Sequence, residues 1–169
     1  MFDRQRNEIK TYKQSPENLK ATLNETITYE WKFKLSKDFS PSKRFTHLHQ
    51  IKAVGEKPKS KPIFTLSTKK GKEKDLFQLR HSTGDNQEVL KEVDLKLFKE
   101  NWVHVIETIH FNKKRKGTYS VKITNLENKE TVIFKYNNNK IQNWNNNAEF
   151  NRPKWGIYRS LKDLSLIHI

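Results

Sequence analysis

The run Arg152-Pro153-Lys154-Trp155-Gly156-Ile157-Tyr158-Arg159 holds the groups best suited to moving a proton. Successive side chains of an extended chain point to opposite faces, so Lys154, Gly156 and Tyr158 share one side, and Trp155 and Ile157 the other. Gly156 leaves open space between a base-like amine and a phenol. An amine crowded by Arg152, Arg159 and other cations gives up its proton more readily than free lysine does, which brings it towards the pH range of acid–base work. The same alternation also describes an ordinary amphipathic strand, so the weight of the assignment falls on what accompanies it.

Three other segments place polar groups at alternate positions. In Asp3-Arg4-Gln5-Arg6-Asn7-Glu8-Ile9-Lys10, the residues Arg4, Arg6, Glu8 and Lys10 share a face if the chain is extended, giving cations with one carboxylate to orient them; a solvated, charged edge strand is the plainer alternative. In Thr46-His47-Leu48-His49-Gln50-Ile51-Lys52-Ala53, strict alternation puts Gln50 and Lys52 one way and His47, His49 and Ile51 the other. His47 and His49 are two potential metal ligands at i and i+2, but no third ligand stands nearby in sequence, so hydrogen-bonded histidines are favoured and no metal site is assigned. The segment Leu79-Arg80-His81 ends a strand with two groups able to hold a carboxylate or shuttle a proton.

The elements that must position these residues read as β-strands. Tyr29, Trp31, Phe33 and Leu35 alternate with Glu30, Lys32 and Lys34, the pattern of a half-buried strand. Similar runs are Ile9 to Tyr12, Phe45 to Val54, Pro62 to Ser67, Leu76 to His81, Trp102 to Phe111, Thr118 to Ile123, Thr131 to Tyr136 and Trp155 to Tyr158, bounded by Gly, Pro, Asn, Ser and Lys clusters. Only Ser15 to Leu23 and Asp94 to Glu100 carry helical spacing. The pattern is therefore all-β, a two-sheet sandwich or jelly roll. Asn137-Asn138-Asn139 and Asn145-Asn146-Asn147 read as polar loop around Trp144.

Composition narrows the partners. The 169 residues suit one domain. Hydrophobic residues make up 33% and charged residues 31%, while 10 Phe, 5 Tyr and 4 Trp supply the bulk of a packed core. The formal charge of +15 attracts polyanions, whether nucleic acid, anionic membrane or acidic polysaccharide. With no cysteine, thiolate zinc sites and cysteine nucleophiles are excluded. Neither a stretch of about 18 apolar residues nor the apolar core of a signal peptide is visible.

Taken together, Asp3 to Lys10, His49-Gln50-Ile51-Lys52 and Arg152 to Arg159 resemble, in order and spacing, the jelly-roll polysaccharide lyases grouped with glucuronan lyase and heparin lyase I. The resemblance runs from about Asp3 to Asp163. It implies a β-sandwich of the jelly-roll, concanavalin-like type with a concave basic cleft. It also implies cleavage of an acidic, uronate-containing polysaccharide, glucuronan- or heparin-like, by β-elimination. That chemistry needs the carboxylate neutralised, the C5 proton removed and the departing O4 protonated. By resemblance, Tyr158 is the proton acceptor and donor, a role it could exchange with Lys154, and Lys154 and Gln50 stabilise the enolate-like charge. Arg4, Arg6, Glu8, His49, Lys52, Arg80, His81, Arg152 and Arg159 are expected to bind the polymer. Related lyases carry Gln-x-His where this chain has Gln50-Ile51-Lys52, so the identity of the base is open among Tyr158, Lys154 and Lys52.

Residues 1–163 are expected to form the lyase domain, as a fragment lacking one or more C-terminal strands. Residues 164–169 read as a non-native, adapter-derived tail. Family members are typically secreted or periplasmic, which implies an N-terminus lacking its leader. No cofactor is assigned from these residues, and a structural or substrate-bridging calcium stays open. Two other functions compete: a non-catalytic module that binds acidic glycans, which would not need both Lys154 and Tyr158, and a basic nucleic-acid-binding domain, which lacks any recognised motif and is not expected.

Overall fold

The computed structural model describes residues 3–56, 61–84, 86–127 and 130–162. The tail after Asp163 lies outside them. Ten strands are described: β1 (Arg4–Lys10), β2 (Thr26–Lys34), β3 (Thr46–Val54), β4 (Phe64–Lys69), β5 (Leu76–Thr83), β6 (Asn86–Asp94), β7 (Trp102–His110), β8 (Gly117–Asn125), β9 (Thr131–Ile141) and β10 (Phe150–Ser160). They form two antiparallel sheets, a six-stranded one in the order β1-β10-β3-β4-β5-β6 and a four-stranded one in the order β2-β7-β8-β9. The expected all-β sandwich is the observed fold.

Period-2 burial builds the interior. Along β7, Val103, Val105, Glu107 and Ile109 are fully buried while the residues between them face outward. From the larger sheet Ile51, Phe64, Leu66, Phe77 and Leu79 meet Tyr119, Val121, Ile123 and Phe134 of the smaller one. Phe77 stacks on Phe98 with ring centroids 4.0 Å apart, and Phe64 stacks on Tyr119 at 4.1 Å.

The structure departs from the expected elements at four places. The segment Ser15 to Leu23 holds only a 3-10 turn at Glu17–Leu19. Asp94 to Glu100 holds another at Leu95–Phe98, capped by the Asp94 side chain accepting from the Lys96 amide at 2.9 Å; one turn suffices to bury Leu95 and Phe98. Strand β6 gives little periodic signal because it is an edge strand with mostly exposed or half-buried side chains, held by its ladder to β5. Asn137-Asn138-Asn139 belongs to β9 rather than a loop, paired with β8 through Tyr119↔Asn138 and Ser120↔Asn137. Trp144 packs edge-on against Phe111 and is buried.

One charged residue breaks the apolar interior. The Glu107 carboxylate accepts from the Tyr119 hydroxyl at 2.6 Å and lies 2.7 Å from Nε2 of His49, with all three side chains buried. Nδ1 of His49 lies 2.9 Å from the Lys154 carbonyl, so each of its ring nitrogens faces an oxygen acceptor, one in each sheet. A carboxylate taken from water costs several kcal/mol unless its lone pairs are met, and here both oxygens are met. Replacing Glu107 by Ala strands His49 and Tyr119 without their partner; the expected loss is about 3–5 kcal/mol of folding free energy, measurable by urea denaturation.

Candidate functional site

The outer face of the larger sheet, turned away from the core, gathers most of the residues singled out in the sequence. Directly opposed residues share a face. On β1 and β10, Arg6 opposes Tyr158, Glu8 opposes Gly156 and Lys10 opposes Lys154. On β10 and β3, Lys154 opposes Gln50 and Arg152 opposes Lys52. The row continues through Thr65 on β4 to Arg80 on β5. Arg4, Arg6, Glu8, Gln50, Lys52, Arg80, Arg152, Lys154 and Tyr158 are thus brought together.

Three expected site residues are not. His49 faces the interior, held by Glu107 and the Lys154 carbonyl. His81, one step out of phase with Arg80, stacks on Phe64 and lies 2.7 Å from the Gln142 carbonyl and 3.1 Å from Glu88. Arg159, one step past Tyr158, donates to Gln5 at 2.7 Å on the opposite side of the β1–β10 pair. Each was expected to grip the polymer; strand parity turns each away from the face that holds the other groups.

His47 is the group the alternation misassigned. The register slips by one residue at Leu48, between His47 and His49 against β4 and between Trp155 and Tyr158 against β10. A β-bulge lets two residues two apart point to opposite faces. His47 therefore opposes Ser67 and Tyr158 on the outer face, while His49 enters the core, so the two histidines cannot ligate one ion as neighbours. Nδ1 of His47 lies 2.7 Å from the Ser67 hydroxyl, and its ring is 4.8 Å from Phe45 and 5.9 Å from Tyr158. The only sequence signal for this position was a polar residue in an otherwise well-patterned strand.

The electrostatics are those of a cationic patch with one internal carboxylate. Glu8, whose side chain is 2% exposed, accepts from the Gln50 amide and lies 3.3 Å from Arg6 Nε and 3.8 Å from Lys154 Nζ. Burial pushes the Lys154 ammonium down to about 8; Glu8 opposes the shift, and Lys52, Arg6 and Arg152 add to it. Burial, then Arg152 and Arg6, lowers Lys52 as well. Burial, reinforced by Arg80 and Lys154, pushes His47 down to about 3, so its imidazole is neutral at ordinary pH. Arg4 donates to the Tyr158 hydroxyl at 2.6 Å, and the Arg6 guanidinium lies 4.1 Å from the centre of the phenol ring.

Such a face can neutralise a carboxylate, through Gln50 and its surrounding cations, and exchange a proton through a phenol, an amine or a neutral imidazole. Among the described residues no group of three or more carboxylate or histidine side chains is placed to hold a metal ion. Nor is any helix among them long and apolar enough to cross a membrane.

No curated protein matches the chain. Among solved structures, the endo-β-1,4-glucuronan lyase from the fungus Trichoderma reesei superposes with a TM-score of 0.63 at 12% sequence identity, over 94% of this chain. The chain spans 64% of the length of that protein. At that identity the match establishes the shared sandwich fold. The sequence profile of the family described as polysaccharide lyase matches residues 2–168, nearly the whole length, and on that match the chain belongs to the polysaccharide lyase family.

Proposed function

We propose that this protein cleaves an acidic, uronate-containing polysaccharide by β-elimination. The observation that carries the reading is that a phenol, an ammonium whose hold on its proton is loosened by burial, a carboxamide and a neutral imidazole face one another across β10 and β3: Tyr158, Lys154, Gln50 and His47. The uronate carboxylate sits against Gln50 and Lys154, which take up negative charge as the adjacent C5 proton leaves. Tyr158 in its phenolate form accepts that proton, and the phenol so formed returns it to O4, which regenerates the phenolate. The electron pair of the C5–H bond becomes the C4–C5 double bond as the C4–O4 bond breaks, leaving an unsaturated uronate end. Whatever negative charge the phenol oxygen carries during this exchange is met by Arg4 and Arg6. Neutral His47, 5.9 Å away between ring centres, supplies the imidazole of the site beside the phenol. Lys52, Arg80 and Arg152 hold flanking uronates, and the family relationship supports a secreted or periplasmic setting.

New C4–C5 double bonds absorb in the ultraviolet, so glucuronan, alginate, heparin and chondroitin can be compared directly with wild type and Tyr158→Phe. We expect a signal with one or more of these polymers, and a kcat about 10²- to 10⁴-fold lower in Tyr158→Phe. A folded wild type that binds the polymers without generating the double bond would instead make this a glycan-binding module.

The pH profile separates the roles of Lys154. As a charge stabiliser it must be protonated, and a group with its value near 8 loses that proton as pH rises, so the rate falls through about pH 8; as a general base it would make the rate rise there. His47 gives a second check. Its folded-state value near 3 lies below the ordinary histidine value of 6.5, so the unfolded chain binds more protons in between. The resulting stability is complete above pH 6.5 and drains away as pH falls towards 3. In NMR titrations the His47 ring resonances are expected to stay in the neutral form from pH 8 to pH 5.

A further inference from the structure

The gap that Gly156 leaves in the outer face of β10 is filled by a carboxylate from the neighbouring strand. Gly156 has φ +120°, and a Cβ there would come 2.2 Å from the Asn7 carbonyl and 3.0 Å from Glu8 Cα. Only glycine lets β1 run this close. Glu8 stands directly opposite Gly156. With no side chain in its way, it reaches across β10 to the Gln50 amide on β3, two strands from its own. The same carboxylate lies 3.3 Å from Arg6 Nε and 3.8 Å from Lys154 Nζ. It is thus buried among the very groups that are to receive the uronate carboxylate.

We propose that Glu8 is a positioning residue of the elimination site, fixing the Gln50 amide and keeping the Lys154 ammonium charged and in place. Glu8 does not grip the polymer, because a buried anion repels another anion and offers it no donor. The proposal rests on the reading of the site as an elimination centre. The charged and titratable groups facing Lys154 are Arg6, Glu8 and Lys10 from β1, His47 and Lys52 from β3 and Arg152 on β10 itself. Among these described residues Glu8 is the one anion, so its removal leaves Lys154 facing four cations and a neutral imidazole. The direction of its influence agrees: Glu8 raises the proton affinity of Lys154, and Lys52, Arg6 and Arg152 lower it.

The experiment follows Lys154 directly in the full chain, by the pH dependence of its acetylation with acetic anhydride, read by peptide mass spectrometry. Wild type, Glu8→Gln and Glu8→Asp are compared after melting curves confirm that each is folded. The Lys154 midpoint is expected to move down by about one pH unit in Glu8→Gln and to return towards wild type in Glu8→Asp, which restores the charge. On the active polymer, Glu8→Gln should approach wild-type kcat near pH 6 and lose it at lower pH than wild type does. Glu8→Ala, which also frees the Gln50 amide, should lose about tenfold in kcat at every pH with a smaller change in KM. An unmoved Lys154 midpoint in Glu8→Gln overturns the proposal. So does a Glu8→Ala variant that turns over faster or binds uronate oligomers more tightly, since that behaviour belongs to a carboxylate competing for the substrate's seat. A wild type without elimination activity, but with the Lys154 shift present in Glu8→Gln, would overturn the lyase reading while leaving the electrostatic link intact.

Discussion

The chain of contacts from Tyr119 through Glu107 and His49 to the Lys154 carbonyl joins the two sheets beneath the cationic outer face. Glu107 is fully buried, and a carboxylate in that position is tolerated only because the hydroxyl and the imidazole both reach it. Its geometry leaves little slack. β7 and β8 supply Glu107 and Tyr119, β3 supplies His49, and the carbonyl that His49 Nδ1 meets belongs to β10. A shift of any one strand by one residue would bring an apolar side chain into the network and leave a polar one unmet. The register of β3 against β10, and with it the pairing of Gln50 with Lys154, is anchored from inside the sandwich.

The bulge at Leu48 completes the arrangement. With His49 committed to the core, unbroken alternation would bury His47 beside it. The extra residue turns His47 to the outer face, against Ser67 and near Tyr158. One segment thereby serves two sides of the sheet, with an imidazole tying the sheets together and another, stripped of its proton affinity by burial and by nearby cations, set beside the phenol. Gly156 plays the corresponding part on β10. Its missing side chain brings β1 close and opens the path from Glu8 to Gln50.

Charge acts at two scales. The overall excess of +15 concentrates polyanions near the surface without regard to their identity. Within the site, Arg6, Lys52, Arg152 and Lys154 crowd one another enough that burial and mutual repulsion loosen the protons of both lysines. A single internal carboxylate offsets part of that repulsion, leaving the patch net positive.

How far the sequence determined the protein follows from which interactions are local. Alternation of side chains is a property of each strand by itself, so the all-β sandwich, the shared face of Lys154, Gly156 and Tyr158, and that of Arg4, Arg6 and Glu8 were legible from residue spacing. The exposed edge strand β6 and the asparagine run of β9 were not, because their pairing is fixed by neighbouring strands rather than by burial of their own side chains. Parity across a bulge is likewise invisible locally. The register slips around Leu48, an extra residue on β3 against β4 and on β10 against β3, exist only between paired strands, so the exchange of His47 for His49 on the outer face was decided by tertiary pairing. Glu107 shares the phase of Val103, Val105 and Ile109, which marks it as a buried charge, but which groups would meet it depended on the packing of one sheet against the other. The reach of Glu8 across Gly156 to Gln50 is of the same kind, since these residues are far apart in the chain and become neighbours only through the strand order β1-β10-β3.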